Sequence, residues 1–309
     1  MIRFLARRVV LAIPVVFGVA TLVFLLIHLV PGDPVEAMLG EGAAPAEVAD
    51  LRARLGLDKP LLRQYGAFLA ALARGNLGAS LRTNQNVAEI IGERFPATVE
   101  LAGTAAVMAL LLAVPAGVAG AVRLKGPIDR IATVITLLGL SVPSFCLGPL
   151  LAIVFAVKLG WLPVSGRGTL AHLVLPALTL AAPLAAVLGR MTRASLLREL
   201  DEPYVIAARA RGASGPRVVL HALRNGLIPI VTVFALQCGA VLTGTVITET
   251  IFAWPGVGRL LVQSIGFRDY PVVQGCVLLI ALTYVAVNIA ADASYRLLDP
   301  RIRSTRREA

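Results

Sequence analysis

Charged side chains are scarce in this sequence. Only 15% of its 309 residues are Asp, Glu, Lys or Arg, whereas 57% are hydrophobic. In an ordinary soluble domain about a quarter of the residues are charged. The mean hydropathy of +0.81 is likewise far above that of such a domain. The composition therefore excludes a typical soluble enzyme or binding module and indicates a membrane protein.

The sequence also lacks the motifs that carry catalytic or nucleotide chemistry. It contains no phosphate-binding Gly-x-x-x-x-Gly-Lys-Ser/Thr loop, no His-Glu-x-x-His motif and no Gly-x-Ser-x-Gly motif. Its three cysteines lie inside apolar runs without Cys-x-x-Cys spacing, which favours structural thiols over a redox or metal role: Cys146, Cys238 and Cys276. The chain is therefore predicted not to be an enzyme and to hold no cofactor or metal of its own.

Apolar runs of membrane-spanning length recur six times, each bounded by charged, glycine or proline residues. The first run has a longer apolar core than a signal peptide and no small-x-small cleavage site, so we interpret it as a retained anchor. The sequence thus predicts an all-α, polytopic bundle of six transmembrane helices. The runs lie at about residues 9–30, 98–122, 131–157, 173–190, 229–250 and 271–292.

The basic residues set the predicted orientation. The alternate short loops hold only Lys158 and Arg167, then Arg259 and Arg268, whereas the two ends and the loops at 123–130 and 190–228 are richly basic. The long segment 31–97 has seven basic but also eight acidic residues, and long loops determine topology only weakly. By the positive-inside rule, both termini are predicted to be cytoplasmic. The same bias accounts for the net charge of +11, so we infer no nucleic-acid partner. The residues of the basic segments are Arg3, Arg7, Arg8, Arg123, Lys125, Arg130, Arg190, Arg193, Arg198, Arg209, Arg211, Arg217, Arg224, Arg296, Arg301, Arg303, Arg306 and Arg307.

This orientation separates the three histidines of the chain. His28 and His172 fall towards the outer face and His221 towards the inside, so they are not expected to form one site. His28 and His172 are weak candidates for assisting a metal substrate that enters from outside. Interfacial histidines without such a role are the commoner case.

Carboxylates are missing from the middle of the predicted spans. The apolar runs contain only Glu100, Glu249 and Asp292, each near the end of its run. An ion-driven secondary transporter usually places coupling groups near the midplane. A membrane-embedded enzyme needs a convergent polar cluster, and a channel needs a filter-like motif; the sequence shows neither. These classes are the less favoured alternatives, and the energy for uphill transport is expected to enter from another subunit.

An arginine-rich segment at residues 201–229 lies between two spans and is predicted to fold as a helical hairpin. Pro203 suits the first position of a helix, with Asp201 or Glu202 before it as a cap. Gly212 supplies the permissive backbone that ends this helix. The alanines and arginines between these signals offer small side chains that admit a close partner and guanidinium groups that bind acidic groups.

The second arm of the hairpin has its own signals. Ser214 is predicted to cap a helix that starts near Pro216, and Asn225-Gly226 is predicted to close it. A docking surface for a partner is one interpretation of the hairpin. A solvated cytoplasmic loop that only anchors the topology is the other.

The segment at residues 31–97 is predicted to be ordered and outside the membrane. After the turn at Pro31-Gly32-Asp33-Pro34, a short helix over 46–55 and an amphipathic helix over 61–74 each end at a glycine. The second helix is expected to lie at the outer interface or to cap the bundle.

The hairpin resembles the EAA loop of permease subunits in binding-protein-dependent ABC importers, specifically the dipeptide, oligopeptide and nickel branch. The likeness continues along the whole chain, and so many matching segments in the same order are specific. The segments are Pro31-Gly32-Asp33-Pro34, Leu55-Gly56-Leu57-Asp58-Lys59-Pro60-Leu61, Gly75-Asn76-Leu77-Gly78-Ala79-Ser80, Ser141-Val142-Pro143-Ser144-Phe145, Ala207-Ala208-Arg209-Ala210-Arg211-Gly212, His221-Ala222-Leu223-Arg224-Asn225, Thr248-Glu249-Thr250-Ile251-Phe252-Ala253-Trp254-Pro255-Gly256-Val257-Gly258, Arg268-Asp269-Tyr270-Pro271 and Leu298-Asp299-Pro300-Arg301-Ile302-Arg303.

Three positions depart from the family pattern. Ile206 stands where the general EAA pattern has a glutamate, which warns against transferring a glutamate contact to the ATPase. The spacing from Gly212 to Pro229 exceeds the short consensus but looks normal for the peptide branch. Asn76 stands where an aspartate is common.

The resemblance implies a type I importer permease fold in the bacterial cytoplasmic (inner) membrane. It implies a homologous permease subunit as partner in a heterodimer, two ABC ATPase subunits that bind ATP and Mg, and an extracytoplasmic solute-binding protein. Small peptides are the implied substrate, with nickel or metal chelates and glutathione as alternatives. The residues implied to couple to the ATPase are Ala207, Ala208, Arg209, Ala210, Arg211, Gly212 and Arg217, and Glu249 is a candidate for the substrate path.

The same resemblance divides the chain into four predicted segments. An anchor helix occupies residues 1–30 and the extracytoplasmic helical segment occupies 31–97. The permease core over 98–292 contains the cytoplasmic coupling loop at 191–228, and a cytoplasmic tail over 293–309 completes the chain.

Overall fold

The computed structural model describes residues 2–29, 35, 44–54, 56–124 and 126–298. These residues are almost entirely helical, and Ala79 and Asn86 form an isolated β-bridge. The helices are α1 (Ile2–Leu29), α2 (Pro45–Arg54), α3 (Leu61–Ala73), α4 (Val87–Val122), α5 (Pro127–Ser141), α6 (Ser144–Leu151), α7 (Leu170–Leu200), α8 (Pro203–Ala210), α9 (Gly215–Ile251), α10 (Val257–Gly266) and α11 (Tyr270–Leu298).

Five of the described helices are long and apolar enough to cross a membrane. They are α4, α7, α9 and the segments Ala6–Leu25 of α1 and Tyr270–Ser294 of α11. A sixth, shorter apolar helix covers Ser144–Lys158 and combines α6 with a π-helical continuation from Ala152 to Lys158. The prediction of an all-α polytopic bundle with six apolar helices is confirmed.

The third predicted span, 131–157, is not one helix as the sequence analysis expected. It is interrupted at Pro143, which separates α5 from α6 and has φ −58° and ψ 144°. Proline has no backbone N–H and disfavours the helical conformation for the residue before it. Here one helix ends at Ser141 and a new helix begins at Ser144. Hydropathy alone did not predict this break, because it depends on side-chain polarity and not on backbone geometry.

The chain forms two compact units. The first contains residues 1–97 and 255–285, and the second contains 98–254 and 286–309. The boundaries cut through α4 and α11, so each of these helices contributes one part to each unit.

The first unit holds the short helices that the sequence predicted in the outer segment. The helix over 46–55 is confirmed as α2 and is followed by Gly56 at φ +66°. The helix over 61–74 is confirmed as α3 and is followed by Gly75 at φ +73°. Both glycines occupy the left-handed region that ends a helix at low cost.

Helix α3 packs on α1 through aromatic side chains. The Phe24 ring lies 5.1 Å from the Tyr65 ring and 5.7 Å from the Phe68 ring, centroid to centroid. The Tyr65 hydroxyl is also 2.6 Å from the Thr21 Oγ1 hydroxyl. The aromatic residues of the amphipathic helix α3 therefore contact α1 around Thr21 and Phe24.

A buried carboxylate fixes the loop between α3 and α4. The Ser80 hydroxyl and the Leu81 backbone N–H donate hydrogen bonds to Asp269, at 2.5 and 3.1 Å. The Arg82 guanidinium lies 3.7 Å from the centroid of the Phe267 ring, within cation–π distance. These contacts order residues 80–86 although the loop itself has no regular structure.

The second unit is built around α7, which is buried along much of its length and packs extensively on α9. Small residues let these helices approach closely, as expected where no hydrophobic effect drives helices together in lipid. A Cβ on Gly148 of α6 would lie 3.2 Å from the Phe252 ring. A Cβ on Gly244 of α9 would lie 3.1 Å from a Leu180 methyl group of α7.

Several segments of the sequence analysis lie outside the described residues. The turn at Pro31–Pro34 is one, and the tail beyond Leu298 is another. The His28 side chain is also outside them.

Candidate coupling hairpin

The hairpin begins at α8 with the geometry that the sequence predicted. Pro203 occupies the first helical turn, and Glu202 holds the preceding cap position, although its side chain makes no capping hydrogen bond. Gly212 lies at φ +82°, its N–H donates to the Arg209 carbonyl at 2.9 Å, and the Ala213 N–H donates to Ala208 at 3.1 Å. Gly212 therefore turns the chain, as predicted, and satisfies the carbonyls at the end of α8.

The predicted end of the second arm at Asn225-Gly226 is wrong. Ser214 holds the cap position of α9, but that helix continues without interruption from Gly215 to Ile251, through both Gly226 and Pro229. Gly226 serves close packing instead of a stop, because a Cβ there would lie 3.1 Å from the Ser195 hydroxyl of α7. The same hydroxyl donates to the Gly226 carbonyl at 3.0 Å, which links the two helices.

A small hydrophobic core holds the hairpin as a solid unit. Its buried members come from α4, α7, α8 and α9, so the two arms share one core with the ends of two long helices. Each side chain is at most 4% exposed. Truncation of the buried leucine, Leu196→Ala, is expected to lower the free energy of unfolding by about 2–5 kcal/mol. The members are Ala121, Leu196, Val205, Val218 and Ala222.

Polar contacts support this core at the join between α7 and α8. The Tyr204 hydroxyl donates to the Glu199 carboxylate at 2.7 Å, and its ring lies 5.7 Å from the His221 ring. Burial and then the bond to Glu199 raise the pKa of Tyr204, outweighing the hydrogen bond with Asn225 that lowers it.

The residues predicted to couple to the ATPase lie together on the outside of this unit. Of the seven, Ala208 is half-buried and the other six are exposed. Ile206, where the family pattern has a glutamate, is also exposed, at 59%. A mostly apolar groove of about 1100 Å³ runs beside Arg209, between the hairpin and the ends of α4 and α7. The hairpin is thus a turn between α8 and α9 that is packed on one core and presents a small, basic and accessible surface.

Glu249 is fully buried near the end of α9. The Thr98 hydroxyl donates to its Oε1 at 2.7 Å, and its backbone carbonyl accepts the Trp254 N–H at 2.9 Å. Ala253, the residue before Trp254, has φ +51°, a left-handed conformation usually taken by glycine. The carboxylate thus helps to hold the end of α9, and its predicted role in the substrate path stays a prediction.

An ion pair that the sequence did not predict lies near the end of α9, far from the hairpin. Arg167, which the sequence analysis counted only as a charge in a short loop, donates through Nε to Glu100 at 2.9 Å. Its guanidinium also lies 5.7 Å from the centroid of the buried Trp254 ring. Two opposite charges 67 positions apart give no local pattern, so only the folded chain brings them together.

The structure gives His172 a local role. Its Nδ1 accepts the backbone N–H of Thr169 at 3.2 Å, at the start of α7. Within the described residues no group of three or more His, Cys, Asp or Glu side chains lies close enough together to hold a metal ion.

Comparison with known sequences identifies the chain. A family described as the inner membrane component of binding-protein-dependent transport systems matches residues 96–304, and the N-terminal domain of such membrane components matches residues 1–102. The chain belongs to this family of importer permeases. It is therefore a transport subunit rather than an enzyme and a multi-pass protein of the bacterial inner membrane, in a family whose ABC importers work with ATPase and solute-binding components.

The relatives fall in the branch that the motifs indicated. The "Di/tripeptide transport system permease protein DppB" of Pseudomonas aeruginosa (strain UCBPP-PA14) is 44% identical, covering 99% of this permease and 100% of its own length. The "Glutathione transport system permease protein GsiC" of Escherichia coli O6:H1 is 43% identical, covering 98% and 99%. A chain of the MetNI methionine ABC transporter, solved in inward-facing conformations, shares the fold with a TM-score of 0.56 at 20% identity, covering 68% of this chain and 96% of that one.

Proposed function

We propose that this permease forms one half of the pore of an ATP-driven importer of di- and tripeptides. The other half would be a homologous permease subunit, and each would dock its hairpin on an ATPase subunit. A solute-binding protein would deliver the peptide from outside. Closure of the ATPases would move the two hairpins together and alternate access to the pore as a rigid-body motion.

The hairpin is the observation that carries this proposal. Its exposed surface at Arg209, Ala210 and Arg211 belongs to a hairpin whose buried core is shared with α4 and α7. Movement of this surface would therefore be transmitted to two long helices through packed side chains. A flexible topological anchor would need no such core. Arginine suits an interface with acidic groups because its guanidinium forms paired hydrogen bonds with carboxylates.

The predicted orientation, with both termini and residues 191–228 in the cytoplasm and residues 31–97 outside, is part of the proposal. The arginine asymmetry supports it. The four predicted segments, 1–30, 31–97, 98–292 and 293–309, remain our working division of function along the chain.

Uptake into proteoliposomes tests the proposal. The complete complex, with its binding protein outside and ATP inside, is expected to accumulate labelled alanyl-alanine, and unlabelled tripeptides are expected to compete. Uptake that needs only a proton or sodium gradient would contradict the ATP-driven mechanism.

Glutathione is the second candidate substrate, since a glutathione permease is 43% identical over nearly the full length. Glutathione and a nickel chelate should be tested as competitors in the same assay. Competition by glutathione at lower concentration than by dipeptides would favour the second candidate.

A further inference from the structure

Asp129 and Arg193 form a paired contact between two helices on the hairpin side of the second unit. Asp129 is buried on the first turn of α5. Arg193 of α7 donates to both carboxylate oxygens, through Nε at 2.7 Å and through a terminal nitrogen at 2.9 Å. Such bidentate pairs fix geometry as well as charge.

A third helix is shaped to admit this pair. A Cβ on Gly120 of α4 would lie 3.2 Å from the Asp129 Oδ1 atom and 3.3 Å from the Arg193 Cδ atom. One turn earlier, a Cβ on Gly117 would lie only 2.6 Å from the Thr192 Cβ atom of α7. The close approach of α4 and α7 therefore places the ion pair where three helices meet.

A cavity lies beside the ion pair, between α4, α5 and α7. This cavity of about 240 Å³ borders Arg193 and is lined from α5 by Thr133 and Thr136. The glycine contact farther along α5 is at Gly139, where a Cβ would lie 3.2 Å from the Ala182 carbonyl oxygen. That contact is ten residues from Asp129, about 15 Å along the helix. The ion pair is thus one tie between α5 and α7 near the start of α5.

Arg193 is also mechanically close to the hairpin. Leu196, three residues later, belongs to the hairpin core, and Ser195 holds the Gly226 carbonyl of α9. Ala121, adjacent to Gly120 on α4, belongs to the same core. Arg193 is therefore joined to the hairpin core through the backbone of α7 and its neighbours Ser195 and Leu196.

We propose that the Asp129–Arg193 pair is the positioning contact that carries movement of the coupling hairpin into α5. From α5 the displacement reaches the break at Pro143 and the short apolar helix beyond it. This inference rests on the proposed coupling function. Without the pair, the hairpin would still bind the ATPase, and α5 would no longer follow it.

Single and double substitutions in the complete reconstituted complex test the pair. Asp129→Asn and Arg193→Gln each remove one charge, and the double variant Asp129→Arg with Arg193→Asp restores an opposite pair. Arg190→Gln is the matched control, because this exposed arginine is one turn away, lines the same cavity and makes no salt bridge within the described residues. Arg193→Lys keeps the charge but loses the paired geometry. The measurements are the amount of complex in the membrane, ATP hydrolysis and uptake of labelled alanyl-alanine.

We expect each single variant to lose about tenfold in uptake while ATP hydrolysis stays within about twofold, because a mutation along a coupling network typically changes the coupling by roughly 2- to 30-fold. The reversed pair should recover at least about threefold of the lost uptake, and Arg193→Lys should be intermediate. Single variants that transport like the Arg190→Gln control would overturn the proposal. So would a parallel fall in ATP hydrolysis and uptake that the reversed pair does not relieve, since that pattern marks a purely structural contact.

Two controls keep this test decisive. If a single variant fails to accumulate in the membrane, the Arg193→Lys variant decides through its ratio of uptake to ATP hydrolysis. A normal ratio there contradicts the proposal. If the wild-type complex itself shows no ATP-driven uptake, the proposed function has failed rather than the role of the pair.

Discussion

The turn at Gly212 gives the sharpest test of the hairpin. The residue lies at φ +82°, and a Cβ added to it would meet no atom within 4 Å. A side chain therefore costs only backbone strain, which is about 1–2 kcal/mol for an L-residue in the left-handed region and is highest for a β-branched one. That strain corresponds to a factor of roughly 5–30 in the population of the intact turn.

Four substitutions separate strain from bulk. Gly212→Val is expected to cause the largest loss of ATPase association and of uptake, Gly212→Ala a smaller loss, and Gly212→Asn the least, because asparagine tolerates this conformation. Gly215→Ala is the matched control. It lies three residues later, also has no atom within 4 Å of its Cβ position, and has no left-handed φ.

The assay is co-purification of the ATPase subunits with each variant, followed by uptake of labelled alanyl-alanine. Membrane insertion should be normal in every case, since the turn lies between α8 and α9. Full association and uptake by Gly212→Val would refute the reasoning, and so would equal losses in Gly212→Asn and Gly212→Val.

Other expectations follow from the same geometry. Gly117→Leu should lower the detergent melting temperature by overpacking that costs about 1–3 kcal/mol, whereas Gly103→Ala, whose Cβ meets nothing within 4 Å, should not. Asp269→Ala should cost about 1–3 kcal/mol by removing the acceptor of the buried Ser80 O–H donor, seen as faster proteolysis at residues 80–86. The purified permease alone should hydrolyse no ATP, and sustained activity in a contaminant-free sample would contradict this. A cysteine at Ser214 should resist an outside-only thiol reagent.

The helices and the hairpin turn were predictable because their signals are local. Pro203 at a helix start, and Gly56, Gly75 and Gly212 beyond helix ends, act through the backbone of their own residues, so they can be recognised without knowing the tertiary contacts. The same rule gave the wrong end at Asn225-Gly226. Gly226 of α9 packs against Ser195 of α7. Whether this glycine ends a helix or admits a neighbouring one therefore depends on tertiary packing.

The contacts that join helices were not predictable. Asp129 and Arg193 are 64 positions apart, and Thr98 and Glu249 are 151 apart. A single sequence contains no pattern that pairs such residues. Pro143 was a local signal for a helix break, but the long apolar run around it favoured one continuous span.

Photo-crosslinking in the assembled complex tests the central claim, that the hairpin is the docking surface for the ATPase. A photoreactive amino acid at the exposed Ala210 is compared with one at Leu62 of α3, which is 85% exposed in the other compact unit. The account predicts a crosslink from position 210 to the ATPase that changes in yield with bound ATP, and none from position 62. An ATPase crosslink from position 62, or its absence from position 210 in an active complex, would contradict the account.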